Sequence, residues 1–258
     1  MDIHTLKGKR AVICGATQGI GRAAAIELAN RGADVTVLAR DQETLEKLCS
    51  LLPAGSHHAL AADFSDNEAV RAAATHLASG PVHILVNNTG GPPGGPIVEA
   101  TADAFVAAFR AHLVNNQILA QALLPRMREA SYGRIINIVS TSVREPIAGL
   151  GVSNTIRASV AGWAKTLAGE VARFGITVNN VLPGYTKTQR LDAIIAARAK
   201  AAGKEPELIA RDMKAQVPAA RFAEAWEVAA AIGFLASPAA AYITGVSLPV
   251  DGGRIAAI

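Results

Sequence analysis

Gly15-Ala16-Thr17-Gln18-Gly19-Ile20-Gly21 lies between an apolar run, Arg10-Ala11-Val12-Ile13-Cys14, and a helical stretch that continues from Arg22. Glycines at this spacing let the chain turn sharply, bring its backbone close to a ligand and let the next helix pack against a sheet. A helix beginning there points free N–H groups and a partial positive charge at any anion in front of it. The stretch reads as a phosphate-binding turn. Three glycines near a helix start also occur in ordinary loops, so the rest of the chain has to support it.

Outward from this turn, short apolar runs alternate with longer stretches of helical period. Strands are expected over 11–14, 34–39, 58–62, 82–86, 134–139, 177–182 and near 247–250, and helices over 20–30, 42–52, 67–78, 102–128, 152–173 and 224–235. Continuous apolar runs such as Val35-Thr36-Val37-Leu38 and Ile84-Leu85-Val86 suit strands covered on both faces, and helical crossovers make such a sheet parallel. The fold class is α/β, a Rossmann-type doubly wound parallel sheet of about seven strands with helices on both faces. Ligands of such sheets bind beyond the carboxyl ends of the strands. Between 186 and 222 the pattern loosens and Lys187, Arg190, Arg198, Lys200, Lys204, Arg211, Lys214 and Arg221 interleave with apolar residues. This segment is expected to be a mobile helical flap, either a lid over substrate or a solvated insertion.

With 258 residues and 50% hydrophobic content, the chain suffices for one large core, and 1–258 is expected to form a single nucleotide-binding domain. Its net charge of +4 comes from 25 basic and 21 acidic residues that are scattered, which does not imply nucleic acid. Cys14 and Cys49 have neither disulfide nor metal spacing and read as small apolar residues of a reducing compartment. No apolar run has the length of a signal peptide or membrane span, so a soluble, cytoplasmic protein without a membrane partner is expected.

Several post-strand residues now fall into register. Gly15-x-x-x-Gly19-Ile20-Gly21, Asp63, Asn87-Asn88-Thr89-Gly90, Ser140, Pro183-Gly184 and Asp251-Gly252-Gly253 stand at spacings that resemble the short-chain dehydrogenase/reductase family over essentially the whole chain. The likeness is to its 3-oxoacyl-acyl-carrier-protein reductase-like members. The resemblance implies a nicotinamide dinucleotide whose pyrophosphate meets Gly15, Thr17, Gln18, Gly19, Ile20 and Gly21. It places Asp63 and Phe64 at the adenine, Asn88 and Gly90 by the adenine-side ribose, and Pro183, Gly184 and Thr186 beside the nicotinamide. Cys14 and Thr89 depart mildly from the usual Thr and Ala. Strand two ends in Ala39 and not a carboxylate, and Arg40 follows, whose guanidinium suits a 2′-phosphate; NADP(H) is favoured over NAD(H). Arg40 is otherwise a surface arginine at a strand end.

The family's chemistry uses a Tyr-x-x-x-Lys pair thirteen residues after the serine. Counting from Ser140 and back from Pro183, the matching positions are Ser153 and Arg157. The family's helix asparagine falls on His112, with Asn116 one turn further on the same face. An Asn-Ser-Tyr-Lys set has thus become His112, Ser140, Ser153 and Arg157. A serine hydroxyl cannot donate as a phenol of lowered pKa does, and a guanidinium stays charged, although it can bind ribose and stabilise developing negative charge. His112 titrates in the right range and is a candidate to supply the proton through water. Tyr185, after Pro183-Gly184, is a second candidate, whereas Tyr132 and Tyr242 read as structural. Loss of a general acid removes roughly two to four orders of magnitude in rate.

The expected function is a reductase of a small carbonyl compound, or the corresponding alcohol dehydrogenase, with an altered site and no metal. The alternative is a catalytically impaired nucleotide-binding sensor or regulatory subunit. The two long central helices and the last strand suit a homo-oligomer, a dimer or tetramer. The flap's basic residues are either ordinary surface charge or an attractor for an acyl-carrier protein or phosphate-bearing thioester.

Overall fold

A computed structural model describes residues 3–257. Seven strands form one parallel sheet: β1 (Arg10–Cys14), β2 (Asp34–Ala39), β3 (His58–Ala61), β4 (Ile84–Asn87), β5 (Gly133–Ile138), β6 (Ile176–Pro183) and β7 (Ser247–Val250). Their order is β3-β2-β1-β4-β5-β6-β7, so strand order reverses between β1 and β4 and opens a crevice at their carboxyl ends. The helices are α1 (Gly19–Asn30), α2 (Gln42–Leu51), α3 (Asn67–Leu77), α4 (Ala102–Phe109), α5 (Asn115–Glu129), α6 (Gly151–Val171), α7 (Gln189–Ala202), α8 (Pro206–Ala215) and α9 (Ala225–Ala236).

Successive strand residues face opposite sides, so each strand feeds two apolar layers. From β1, Ala11 and Ile13 join Leu28 of α1, Leu45 of α2 and Ile232 of α9 in one layer. Val12 and Cys14 join Val70 of α3, Leu123 of α5 and Ala164 of α6 in the other. Cys14 is fully buried and burial pushes its thiol up to about 12, while Cys49 lies against the opposite layer; both are free thiols. No helix among the described residues is long and apolar enough to cross a membrane.

One element differs from the sequence expectation. The helix expected over 102–128 is interrupted by a π-turn, Arg110–Val114, that separates α4 from α5. The segment expected as a helical flap folds as α7 and α8, which enclose a small core of Leu191, Met213 and Phe222. A parallel bridge between Thr186 and Ala223 pinches its base.

A polar ladder crosses the sheet that the apolar pattern concealed. Asn87, Asn137 and Asn180 stand side by side on β4, β5 and β6, with Ser247 next on β7. Asn87 Nδ2 donates to Asn137 Oδ1 at 2.9 Å, Asn137 Nδ2 to Asn180 Oδ1 at 2.9 Å, and Asn180 Nδ2 to Ser247 Oγ at 3.1 Å. All three amides are buried, so the chain of bonds fixes strand register where the cleft opens. Asn137→Ala would orphan a donor on Asn87 and an acceptor on Asn180. It is expected to lower the unfolding free energy by about 2–4 kcal/mol, measured by urea denaturation.

Candidate active site

The carboxyl ends of β1, β4, β5 and β6 open into one cleft of about 800 Å³. At its first end lies the glycine turn. Gly15 has φ +60°, and a Cβ there would stand 2.6 Å from the carbonyl oxygen of Asn88. A Cβ on Gly21 would stand 2.1 Å from the carbonyl oxygen of Gly15, so α1 can start here only without one. Asn88 Nδ2 donates to the carbonyls of Cys14 (3.3 Å) and Gly15 (3.1 Å), bracing the turn against β4.

The caps differ between helices in a way that matters for binding. Asp41, Asp66, Thr101 and Thr188 accept from the first-turn N–H groups of α2, α3, α4 and α7. In contrast, α1 has no side-chain cap and no acid in its first turn, leaving its N–H groups for an anion. Arg40, at the end of β2, is exposed on the same cleft and forms no ion pair among the described residues. Asp63 accepts from Ser65 N at 2.9 Å and Ser65 Oγ at 2.8 Å, and these bonds, with the Arg40 charge, hold its carboxyl below the usual range. Glycines that give way to a close ligand, an uncapped helix start and an unpaired arginine beside it together fit a phosphorylated dinucleotide.

Of the residues singled out in the sequence, the cleft is lined by Gly15, Thr17, Gln18, Gly19, Ile20, Arg40, Asp63, Phe64, Asn88, Gly90, Ser140, Ser153, Arg157, Pro183, Gly184 and Thr186. Gly21 is not on the lining; its part is the close packing just described. Asn115 was missed by the sequence reading. Its Nδ2 donates to the carbonyl of Phe64 at 2.7 Å and its Oδ1 accepts from Asn67 at 2.6 Å, tying the π-turn to the Asp63 loop. An asparagine inside a helical period carries no sign of such a partner.

At the other end, Ser140 Oγ accepts from Ser142 N at 3.1 Å, which leaves its own proton free to donate. Ser153 lies in the first turn of α6, another helix without a side-chain cap, and its hydroxyl has no hydrogen-bond partner among the described residues. One turn on, Arg157 Nη1 donates to the carbonyl of Ile138 at 2.7 Å. Burial, with Arg190 nearby, pulls the Arg157 guanidinium down to about 10, so it is charged throughout the neutral range.

The structure places His112, expected to supply a proton through water, away from the cleft surface. Its side chain is 3% exposed inside the π-turn, off the cleft lining, with Nδ1 bonded to Thr89 Oγ1 at 2.5 Å. Burial and the charge of Arg157 lower its pKa to about 3, so it is neutral at working pH. Thr89 and His112, two separate departures in the sequence, are one hydrogen-bonded pair. Asn116 is buried on α5 and also off the lining. Tyr185 lines the cleft, yet its hydroxyl donates to Gln216 Oε1 at 3.2 Å. Tyr132 donates to the carbonyl of Ala236 at 2.6 Å, and Tyr242 is fully exposed. None of the three phenols takes the vacated position.

The family model described as enoyl-(acyl carrier protein) reductase matches residues 15–254. The chain is 34% identical over 253 residues to the 3-oxoacyl-[acyl-carrier-protein] reductase of Pseudomonas aeruginosa, covering 96% of this chain and 98% of that one. It is 36% identical to a 2,3-dihydroxy-2,3-dihydro-p-cumate dehydrogenase of Pseudomonas putida, over 96% of this chain and 95% of that one. Among solved structures, L-sorbose reductase from Gluconobacter frateurii, complexed with NADPH and L-sorbose, superposes with a TM-score of 0.93 at 30% identity. That match covers 99% of this chain and all of that one.

The neutral burial of His112 has a pH signature. Its folded pKa of about 3 lies below the unfolded value of about 6.5, so below pH 6.5 the unfolded chain takes up a proton that the folded chain refuses. This histidine therefore makes stability fall with pH by about 1.4 kcal/mol per unit between those values. In urea unfolding at pH 7 and pH 5, His112→Asn is expected to lose about 2 kcal/mol less than the parent on acidification. An unchanged difference would show that His112 is protonated in the folded state.

Proposed function

Since the chain belongs to the short-chain dehydrogenase/reductase family, a family of NAD(P)-dependent oxidoreductases, we propose that it reduces a small, 3-oxoacyl-like carbonyl compound with NADP(H), or oxidises the alcohol. The observation that supports this most is the single cleft. It joins an uncapped helix start and an unpaired Arg40 to a free Ser153 hydroxyl, the Ser140 donor and the Arg157 charge. NADPH is bound by the L-sorbose reductase that this chain resembles.

When bound, the nicotinamide gives or takes a hydride. The N–H groups at the start of α1 bind the pyrophosphate, with Thr17, Gln18 and Ile20 along its path, and Arg40 takes the 2′-phosphate. Asp63 and Phe64 hold the adenine, Gly90 lets the ribose approach, and Pro183, Gly184 and Thr186 border the nicotinamide. Asn88 contributes by bracing the turn. Ser140 and Ser153 donate hydrogen bonds to the substrate oxygen, and Arg157 offsets the negative charge that grows there. Fixed charge and hydroxyl donors replace a titrating acid, and water entering the cleft delivers the proton. Turnover is correspondingly slow, by roughly two to four orders of magnitude against an enzyme with a tuned acid.

A second reading is favoured by the burial of His112 and the engagement of the Tyr185 hydroxyl with Gln216: a nucleotide-binding sensor or regulatory subunit that binds reduced cofactor without consuming it. The homo-oligomer expected from the sequence belongs to the proposal as well, since Val106 and Phe109 on α4 and Tyr242 and Val246 before β7 are exposed.

NADPH oxidation measured with a panel of aldehydes and ketones decides between these readings. Arg40→Ala is expected to raise KM for NADPH about tenfold and to leave KM for NADH nearly unchanged. Arg157→Ala and Ser153→Ala are expected to lower kcat/KM by about ten- to a hundredfold. The reduction rate should show no side-chain inflection between about pH 6 and 9. Binding of NADPH without consumption by any carbonyl would establish the sensor, and Ser153→Tyr combined with Arg157→Lys would then be expected to gain activity.

A further inference from the structure

The end of the cleft around Ser140 and Ser153 holds an excess of positive charge that no ion pair among the described residues neutralises. Five arginines line the cleft and a single carboxylate, Asp63, faces it. Asp63 belongs to the Arg40 end, where it feels that arginine's charge. The other four, Arg157, Arg190, Arg198 and Arg254, make no ion pair among the described residues, although seven such pairs form elsewhere.

Contacts place three of them around the serines. The Nη2 atoms of Arg157 and Arg190 both come within 3.6 Å of one point beside Gly91. Arg254 Nη1 donates to Thr141 Oγ1 at 3.1 Å, next to Ser140, while its guanidinium lies over the Tyr185 ring at 4.5 Å. Arg198 follows Arg190 by two turns of α7, and Leu191 and Ile194 also line the cleft. Arg190 is already engaged, donating to the Pro92 carbonyl at 2.9 Å and so latching α7 across the cleft. Among the described residues Arg198 has no hydrogen-bond or ion-pair partner and Arg254 has only the Thr141 hydroxyl and the face of the Tyr185 ring, so both retain donors for a ligand.

Like charges gathered without a counter-ion raise the free energy of the empty cleft, and an anion entering it lowers that energy. Apolar side chains, Ile147, Leu150, Leu191 and Ile194, stand between the cations. The cleft of about 800 Å³ also takes the dinucleotide, and its Ser140–Ser153 end accommodates a compact carbonyl compound. Guanidinium groups favour a planar carboxylate, which they bind through paired hydrogen bonds.

Building on the reductase reading above, we propose that the substrate is a compact oxo acid whose free carboxylate is recognised by Arg198 and Arg254 while its carbonyl meets Ser140 and Ser153. The apolar side chains hold a short hydrocarbon body between the two polar ends. Arg198 and Arg254 are thus specificity residues, distinct from Arg157 beside the reacting oxygen.

The test uses the NADPH-saturated protein and matched pairs: acetoacetate, levulinate and benzoylformate, each against its methyl ester, with acetoacetyl-coenzyme A as a phosphate-bearing thioester. Binding is followed by thermal shift and calorimetry, and turnover by NADPH oxidation. At least one acid is expected to bind about tenfold or more tightly than its ester, and Arg198→Ala or Arg254→Ala to shrink that ratio towards one. Acid-selective binding without NADPH consumption upholds the carboxylate site at Arg198 and Arg254 and removes the reductase reading. Equal binding and turnover of acids and esters keeps the reductase and overturns the proposal. Failure of every acid to bind more tightly than its ester overturns it too, as does preference for the thioester over all three acids.

Discussion

The approach of Gly21 to the carbonyl of Gly15 is the constraint around which the molecule is arranged. There is no room for a β-carbon between them, and Asn88 closes the same junction from β4. That junction fixes where α1 begins and aims its uncapped N–H groups at the crevice between β1 and β4. A larger residue at either glycine displaces the helix, and with it the positive end of the helix dipole. The remaining features of the cleft, from Arg40 to Asp63, are placed relative to this anchor.

The opposite end of the cleft presents hydroxyls and fixed positive charge. Where the family pattern carries a titrating phenol and its ammonium neighbour, the positions matched by spacing hold Ser153 and Arg157, and the histidine that spacing offered as a substitute is buried, neutral and paired with Thr89. The pairing explains two substitutions by one contact: a hydroxyl at position 89 gives the imidazole a partner that alanine cannot. Burying an imidazole with its polar atom satisfied is tolerable, whereas burying it charged beside Arg157 is not. On the proposed reading, preorganised donors stabilise an oxyanion and proton delivery falls to water, which separates binding of charge from transfer of charge.

The flap shows how a basic segment acquires different jobs from its fold. Lys187 pairs with Glu224, and Arg221 makes a two-pronged contact with Glu227 at 2.6 and 2.7 Å, both near the pinched base. Arg190 crosses the cleft to the loop after β4, and Arg198 lines it without a counter-ion. Residues of one type and one segment thus divide into anchors, a latch and unneutralised charge, according to which carboxylates or carbonyls the packing brings near.

The alternation of strand and helix, the turn at Gly15–Gly21, the parallel sheet and the family were all legible in the sequence, because backbone periods of two and 3.6 residues and the steric freedom of glycine are local properties. Most residues expected at the cofactor end line the cleft for the same reason: they follow strand ends, and strand ends converge. What the sequence could not contain was the identity of polar partners. The amide ladder joins residues 50 and 43 positions apart, and the Thr89–His112 bond spans 23. The π-turn that carries His112 off the cleft is hidden in an unbroken helical pattern. Composition and spacing determined the scaffold and where a ligand must lie. Which side chains stay neutral, which are bonded and which keep unanswered charge was decided only by tertiary packing, because desolvation and hydrogen-bond satisfaction depend on neighbours in space.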